Sequence, residues 1–377
     1  MRSLVLNISL ILVLSASALA QQIENSRTTE SLRGISAVSH QIAWASGTHG
    51  TYLRTIDAGH TWTSAQVPDA TTLDFRAVVA FSADEAFLMS AGPDDQSRIY
   101  HTIDAGRHWQ LQFTNTNPKG FFDSMAFWDA KHGIVLGDPI PDDSAKGSTG
   151  KDVPGKLYFE LLLTDDGQTW HTIPPSQLPE AMEGEGAFAA SNTCIALLYP
   201  KSLGPDASPW MNIWFATGGK AARVFHSADH GKTWQVVDTP VLHGPESAGI
   251  FSIAFRDAMH GVIAGGDYKN PNQNGPNLAF TADGGKTWTL SPLKPQAYFS
   301  AVAYDTNVNV KAQWEKPPAP ERLFLVGQDF IFDFTPPADP RRISPKKKLA
   351  MKFNAVSSYP EGGALIVGAK GAIVTIP

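Results

Sequence analysis

The chain has 377 residues, of which 42% are hydrophobic and 18% charged, and its formal net charge is −6 at pH 7. This negative balance argues against a general binder of nucleic acid or of anionic membranes, which would need a basic surface. The single cysteine, Cys194, excludes an intrachain disulfide, so stability has to come from the hydrophobic core that a chain of this length can supply.

Residues 1–20 have the pattern of a secretory signal peptide. Arg2 provides the charged start, residues 4–14 the apolar core, and Ala18 and Ala20 the small residues of a cleavage site before Gln21. The apolar core is too short to span a membrane, and no later stretch reaches 18 apolar residues. The sequence therefore predicts an exported protein, periplasmic or extracellular after cleavage near Ala20, with one mature domain at 21–377 and no transmembrane segment.

A phrase with an Asp, a Gly and a Trp at fixed offsets occurs five times, which is typical of a repeat architecture. We interpret each copy as the tight turn of a β-hairpin. The Asp accepts hydrogen bonds from turn N–H groups, the Gly adopts a positive φ, and the Trp begins the next strand and wedges between sheets. The acids are interpreted as structural, since one reaction does not need five equivalent carboxylates. The predicted structural residues are Asp57, Gly59, Trp62, Asp104, Gly106, Trp109, Asp165, Gly167, Trp170, Asp229, Gly231, Trp234, Asp283, Gly285 and Trp288.

In the third copy, Leu163 stands at the position that Thr or Ser occupies in the others. Short apolar runs upstream of each phrase predict two further strands per unit, and two later units keep these strands but lack the phrase. Seven such units predict an all-β fold, a seven-bladed β-propeller of four-stranded blades. The predicted pairs of inner strands are 35–38 and 42–45, 76–81 and 86–90, 124–128 and 133–136, 187–190 and 211–217 (with 194–198 as an extra strand), 251–255 and 261–264, 298–304 and 323–326, and 353–357 and 364–367.

The seventh unit stops one strand short. Its predicted strands are 353–357, 364–367 and 372–376, and the chain then ends at Pro377. Residues 23–31 are free to supply the missing strand. The sequence therefore predicts that the N-terminal segment closes the ring.

The repeated phrase resembles the Asp-box, or BNR repeat, found in sialidases, sortilin-type receptors and several glycosidases. The fuller pattern at residues 44–55, together with residues 215–219 and 222–227, resembles the photosystem II stability/assembly factor-like propeller family, including its exported bacterial relatives. The resemblance covers about residues 33–377 and implies a seven-bladed ring. In photosynthetic members it also implies binding of an assembling membrane-protein subunit. The sequence shows no dinucleotide fingerprint, haem-attachment motif or metal-ligand spacing, so neither a cofactor nor a metal is predicted.

One face of such a ring is the better place for function. The turns between strands two and three lie on the same face as the blade connections, opposite the hairpin turns. Long insertions at 139–155 and 268–276 and the connection 174–186 belong to that face, and long loops on a rigid scaffold often bind ligands. We call it the insertion face and the opposite one the turn face. The candidate binding residues are His49, Asp94, Asp138, Asp267, Gln328, Lys370 and Arg223.

These observations favour an exported, monomeric, non-catalytic propeller that binds a protein partner as an assembly or stability factor. The alternative is a sialidase-superfamily-like glycoside hydrolase acting on a glycan. In that interpretation Asp138 and Asp267, which follow a Gly at the same place in units two blades apart, form the carboxylate pair. The sequence identifies neither the partner nor a glycan.

Overall fold

The structure is a computed structural model that describes residues 22–142, 155–198, 212–292, 297–305, 322–334, 341–343 and 351–377. The predicted signal peptide lies outside the described residues, as does most of the insertion at 139–155. Within the described ranges the regular structure is β-strand, apart from single 3₁₀ turns at Asp94–Gln96, Pro175–Gln177 and Ala369–Gly371. No helix in these ranges is long and apolar enough to cross a membrane.

The strands alternate with short turns along the whole described chain. In chain order they are β1 (Gln22–Ile23), β2 (Leu32–Ala37), β3 (Ala43–Gly47), β4 (Thr51–Thr55), β5 (Thr63–Gln66), β6 (Asp74–Ala80), β7 (Ala86–Ala91), β8 (Arg98–Thr102), β9 (Gln110–Thr114), β10 (Phe122–Phe127), β11 (Gly133–Pro141), β12 (Leu157–Thr164), β13 (His171–Thr172), β14 (Glu185–Gly186), β15 (Ile195–Leu197), β16 (Ile213–Ala216), β17 (Gly218–Gly219), β18 (Arg223–Ser227), β19 (Gln235–Asp238), β20 (Ala248–Phe255), β21 (Gly261–Asp267), β22 (Leu278–Thr281), β23 (Thr289–Leu290), β24 (Phe299–Tyr304), β25 (Leu323–Gly327), β26 (Ile331–Phe334), β27 (Arg341–Ile343), β28 (Phe353–Ser358), β29 (Ala364–Gly368) and β30 (Ile373–Ile376).

These strands form seven antiparallel sheets, which confirms the predicted seven-bladed propeller. Blades 1 to 6 are β2-β3-β4-β5, β6-β7-β8-β9, β10-β11-β12-β13, β15-β16-β18-β19, β20-β21-β22-β23 and β24-β25-β26-β27, and blade 7 is β28-β29-β30-β1. The first strand of each blade contacts the first strands of its neighbours, so these strands form the innermost ring. The short strands β14 and β17 extend the inner edge of blade 5.

The N-terminal segment is the fourth strand of blade 7. Gln22 pairs with Thr375 and Ile23 with Val374, in antiparallel register. The carboxylate of the buried Glu24 then joins two blades, because it accepts a hydrogen bond from Trp62 Nε1 in blade 1 (2.6 Å) and one from the Thr375 hydroxyl in blade 7. The last blade and the first blade are therefore held together by residues from the start of the described chain.

Hydrophobic packing is divided among the interfaces between blades. The described residues contain seven buried clusters, each of which joins one pair of neighbouring blades. The Trp of each repeated phrase packs into the interface with the preceding blade, as its predicted wedging role requires. These residues are Trp62, Trp109, Trp170, Trp234 and Trp288.

The first repeated phrase shows how the turn chemistry works. Asp57 accepts hydrogen bonds from Thr55 Oγ1 (2.9 Å), from Thr61 N (2.9 Å) and from Thr61 Oγ1 (2.6 Å). Gly59 adopts a φ of 80° and donates its N–H to Thr55 Oγ1. The side-chain and backbone hydrogen bonds of Thr61 lower the pKa of Asp57. Equivalent carboxylate contacts recur in three other copies, at Asp104, Asp229 and Asp283.

The third copy differs from the prediction. The carboxylate that organises this turn belongs to Asp166, which accepts from Thr164 Oγ1 (3.2 Å) and from Thr169 N (2.7 Å). The assignment of this role to Asp165, with Leu163 at the hydroxyl position, was therefore wrong. The spacing of two residues between hydroxyl and Asp is retained at Thr164 and Asp166, and the turn is one residue shorter before Gly167.

This correction gives a matched pair of variants. Asp166→Ala removes the acceptor of several turn N–H and O–H groups, so we expect the melting temperature (Tm) to fall by a few degrees. Asp165→Ala, at the adjacent position, should leave the Tm unchanged. Differential scanning calorimetry of both variants checks this, and a larger fall for Asp165→Ala would restore the original assignment.

The predicted first strand of unit four, residues 187–190, was also wrong. The first strand of blade 4 is β15, and residues 187–190 lie outside the sheet. The physical reason is that their backbone groups bond to side chains of other blades. Ala187 N donates to Asp138 Oδ1 (3.0 Å), and Ala189 O accepts from Arg76 Nη1 (2.6 Å).

Candidate functional site

The inner strands share an irregularity at the insertion face. In six blades the first strand carries one extra residue near its start, so that its register with the second strand shifts by one. A bulge leaves the extra residue out of the ladder and redirects its side chain. Because these strands form the inner ring, the bulges bring a set of mostly polar side chains to the mouth of the central channel. The extra residues are Arg33, Arg76, Asp123, Phe251, Ser300 and Asn354.

Two of these residues, Arg33 and Arg76, share one carboxylate. Arg76 Nε donates to Asp74 Oδ2 (2.6 Å), and Arg33 Nε lies 3.8 Å from Asp74 Oδ1. Burial and the neighbouring Arg76 guanidinium lower the pKa of Arg33, and its buried Nε makes no hydrogen bond in the described structure. The cluster therefore carries an excess positive charge and an unused donor at the channel mouth.

Two carboxylates lie on the blade 3 side of the mouth. Asp123 is the extra residue of β10, and Asp138 is the extra residue at a second bulge, between β11 and β12. Asp123 is only 1% exposed, and its Oδ2 has no hydrogen-bond partner in the described structure. Burial, followed by the charge of Asp138, raises the pKa of Asp123 well above its usual range, although Arg76 opposes the shift. Burial also raises the pKa of Asp138 to about 6, against the hydrogen bond from Ala187.

The raised pKa of Asp138 predicts a pH dependence with a definite sign. The folded state holds this proton up to about pH 6, whereas the unfolded chain releases it near its ordinary pKa of 3.8, so the folded state binds more protons between these values. The contribution of Asp138 to the free energy of unfolding is thus greatest below about pH 4. It decreases as the pH rises through 6, by about 2–3 kcal/mol in total.

Asp138→Asn tests this prediction, because the amide oxygen can still accept the Ala187 N–H but carries no charge. Urea unfolding of both proteins between pH 4 and 8 should show the wild type losing stability relative to Asp138→Asn as the pH rises. The turn aspartates have lowered pKa values and act in the opposite direction, but they cancel in this difference. A difference that is constant, or that grows in favour of the wild type, would contradict the prediction.

Residues 187–192, which we call the plug segment, lie across the mouth of the channel. Ala187 and Ala189 bind Asp138 and Arg76, as described above, and Asn192 Oδ1 accepts from Met125 N (2.7 Å). On the far side, Ser191 Oγ donates to Ser300 O (2.7 Å). These partners belong to blades 2, 3 and 6. The plug segment is therefore held from opposite sides of the ring by its own protein.

An aromatic wall lines the blade 5 side of the mouth. The ring of Phe188 in the plug segment stacks on Phe251 with centroids 3.8 Å apart and planes at 8°. Tyr298 packs edge-on against Phe251 at 4.7 Å, and Tyr268 lies 6.2 Å from it. Tyr268 remains 43% exposed and forms the rim of the mouth. Arg33 and this wall together provide cationic and aromatic contacts for a ligand.

The predicted candidates on the second-strand ends are dispersed around this mouth. His49 Nδ1 contacts Glu30 Oε2 (2.7 Å), and this hydrogen bond raises the pKa of the exposed His49. Asp94 and Lys370 both lie in 3₁₀ turns with positive φ, at 55° and 58°. Gln328 Nε2 donates to Tyr268 O (3.5 Å), which places it beside the aromatic rim.

Arg223 has a structural position. Its side chain is 9% exposed and pairs with Glu185, whose side chain is fully buried, through Nε to Oε1 at 2.9 Å. Thr217 Oγ1 donates to the same carboxylate oxygen (2.6 Å), and Arg223 Nη2 donates to Glu180 O (3.1 Å). Arg223 therefore holds the connection between blades 3 and 4 and does not face an open surface.

Asp138 and Asp267 each accept a hydrogen bond from a backbone N–H group. Asp138 accepts from the plug segment and is electrostatically coupled to Asp123. The buried Asp267 accepts from Lys269 N (2.9 Å) and from Asn270 Nδ2 (2.6 Å). Burial alone would raise the pKa of Asp267, but hydrogen bonds from the Asn270 and Ser247 side chains lower it. The carboxylate partner that the structure gives to Asp138 is thus Asp123, which sequence reasoning missed.

No family model matches this chain, and no curated protein does. Solved structures of similar fold include YCF48 bound to a D1 peptide, with a TM-score of 0.59 and 16% identity over 94% of this chain and 96% of that one. They also include U3-55K (TM-score 0.60, 11% identity, 96% and 99% coverage) and virginiamycin B lyase from Staphylococcus aureus (TM-score 0.58, 13% identity, 94% and 98% coverage). The TM-scores establish a shared propeller fold, and identities this low support no conclusion beyond the fold. Because these structures include both a peptide complex and a lyase, the fold alone does not separate binding from catalysis.

Among the described residues, no group of three or more His, Cys, Asp or Glu side chains is arranged to hold a metal ion. The groups that the mouth offers to a ligand are the cationic, acidic and aromatic side chains described above.

Proposed function

We propose that this protein is an exported, non-catalytic β-propeller that binds an extended segment of a protein partner at the mouth of the insertion face. In this role it serves as an assembly or stability factor. The observation that carries the proposal is the combination of the Arg33–Asp74–Arg76 cluster with the aromatic wall on the other side of the same mouth. Arginine and tyrosine are enriched among the residues that dominate protein interfaces.

The two sides of the mouth offer complementary contacts. Arg33 shares its counter-ion with Arg76, and 27% of its side chain is exposed, so its guanidinium can bind a carbonyl or carboxylate of a partner. Tyr268 presents an exposed ring, and Lys269 Nζ lies 6.0 Å from the centroid of that ring. A peptide crossing the mouth would bury Tyr268 and bind Arg33 at once.

The structural comparison supports this proposal by analogy. One propeller of similar fold is solved with a peptide bound, so this architecture can bind a peptide. We extend peptide binding to the present protein because its own residues 187–190 already lie at the mouth, where their backbone binds Asp138 and Arg76. The proposed partner is itself exported, since residues 1–20 are a predicted signal peptide.

A glycoside hydrolase using Asp138 and Asp267 is the second candidate. The opposite directions of their pKa shifts, raised for Asp138 and lowered for Asp267, are the pattern expected of an acid and an ionised carboxylate. Their hydrogen bonds to backbone and to Asn270 give both carboxylates a structural role instead. Turnover of glycans or nitrophenyl glycosides by the wild type, abolished in an Asp138→Asn, Asp267→Asn double variant, would establish the hydrolase in place of the binding function.

The binding function is tested with a partner captured on the mature protein and then purified. We expect Arg33→Ala and Tyr268→Ala each to raise the dissociation constant by roughly tenfold or more, because each removes a side chain that anchors the interface. Ile103→Ala is the matched control, since Ile103 is 72% exposed on the turn face. Calorimetric titration of the three variants decides the matter. Loss of affinity at Ile103, with none at Arg33 or Tyr268, would place the interface on the opposite face.

A further inference from the structure

The plug segment is held by contacts that recognise backbone. The N–H of Ala187 binds Asp138, the N–H of Ala189 binds Asp123, and the carbonyl of Ala189 accepts from Arg76. The carbonyl of Phe188 accepts from the Cys194 thiol at 2.7 Å. Side chains of the ring thus bind both donors and acceptors along three consecutive residues. Such contacts would accept another chain that adopts the same backbone conformation.

The aromatic ring of the plug segment lies in a slot that two glycines leave open. A Cβ atom on Gly218 would lie 2.2 Å from Phe188 Cε2, and one on Gly249 would lie 3.0 Å from the same atom. The ring of Phe251 closes the third side of the slot. Because any side chain at Gly218 would fill this space, the slot is shaped for a flat ring that approaches the backbone closely.

Burying the carboxyl groups that bind the plug segment costs folding free energy that a purely structural loop would not require. Asp123 is buried with one carboxylate oxygen unpaired, and a second carboxylate lies close enough to raise its pKa further. Apolar side chains could hold a connection of this length without burying two acids. Residues that destabilise the fold locally in this way are expected at functional sites.

We propose that Arg76, Asp123, Asp138 and the Phe188 slot form a peptide-binding site that the protein's own residues 187–190 occupy and that a partner segment takes over. The partner segment has an aromatic residue between small residues, as in the plug segment, so that its ring enters the slot and its backbone meets the same three side chains. This inference rests on the proposed function, because it assigns the ligand class of the same mouth.

Competition with the plug segment would make the site selective. A tethered occupant acts at an effective concentration in the millimolar range, on the order expected for short linkers. The apparent affinity of a free ligand is therefore its intrinsic affinity multiplied by the fraction of molecules in which the site is open. A partner that also contacts Arg33 and Tyr268 overcomes this competition, whereas a short peptide that lacks those contacts does so poorly.

The test uses a fluorescein-labelled, C-terminally amidated peptide that copies residues 187–192 as the probe. Phe188→Ala empties the slot but leaves the binding side chains in place, so we expect this variant to bind the probe at least tenfold more tightly than the wild type. A probe with Ala in place of Phe should lose this gain. Phe113→Ala, which removes a half-buried ring in an outer strand of blade 2, is the matched control and should bind like the wild type. Equal affinity of Phe188→Ala, Phe113→Ala and wild type, with all three folded by circular dichroism, would overturn the proposal.

A second measurement does not depend on the folding of that variant. Hydrogen–deuterium exchange of the wild type is followed over residues 187–192 with and without saturating purified partner. We expect the amides of Ala187 and Ala189 to exchange at least tenfold faster in the complex. If they stay protected while Arg33→Ala and Tyr268→Ala still weaken the partner, the displacement fails and the proposed function stands. If the partner binds the turn face, the proposed function fails whatever the probe shows.

Discussion

Removing residues 21–31 is expected to lower the Tm by roughly 10 °C or more, since a loss of several kcal/mol shifts a domain of this size by a few degrees per kcal/mol. The deletion removes the pairing of β1 with β30 and leaves the outer edge of blade 7 open. It also removes Glu24, so that Trp62 Nε1 and the Thr375 hydroxyl lose their acceptor. Calorimetry of chains that start at residue 21 and at residue 32 measures the effect.

Point variants separate the contribution of the Glu24 carboxylate from that of strand β1. Glu24→Ala leaves the buried Trp62 Nε1 without a partner and should cost about 2–3 kcal/mol of unfolding free energy. Glu24→Gln keeps an acceptor oxygen of the same size and should cost clearly less. An unchanged Tm in the shortened chain would show that the ring does not depend on this closure.

The second large effect is expected at Arg223. Arg223→Ala should lower the unfolding free energy by about 3–5 kcal/mol, because it leaves the fully buried Glu185 carboxylate without its cation. Arg322→Ala is a suitable comparison, since the Arg322 side chain also binds carboxylates but is 32% exposed. Urea unfolding should show a smaller loss for Arg322→Ala.

The cause can be checked with a double variant. Arg223→Met combined with Glu185→Leu replaces the ion pair by apolar groups of similar size, which is often close to neutral. We expect the double variant to be more stable than Arg223→Ala alone. If Arg223→Ala and Arg322→Ala lose the same stability, burial of the Glu185 charge is not the main cause of the loss.

The hairpin turns and the number of blades could be predicted because their chemistry is local. A hydroxyl, an Asp two residues later, a Gly and a Trp specify one turn and one wedge, and neighbouring blades repeat them. The error at Asp165 has the same origin. Two adjacent acids satisfy the pattern equally well, and only the register of the Thr164 hydroxyl selects Asp166.

The site could not be predicted because it depends on non-local register. Arg76 and Asp123 each occupy a bulge, whose position depends on the register with the partner strand. The sequence alone shows each of them only as a charged residue within an apolar strand. Residues 187–190 resemble a strand because an apolar run is buried equally in a sheet or in a loop that crosses a core. Asp138 was recognised as a candidate, but its pairing with Asp123 follows from two bulges side by side.

Site-specific photo-crosslinking tests most directly whether the insertion face binds the partner. A benzophenone amino acid is placed at Tyr268 on the rim of the mouth or at Ile103 on the turn face, both exposed. We predict a covalent adduct with the purified partner from position 268 and none from position 103. An adduct from position 103 alone would contradict the proposed binding face.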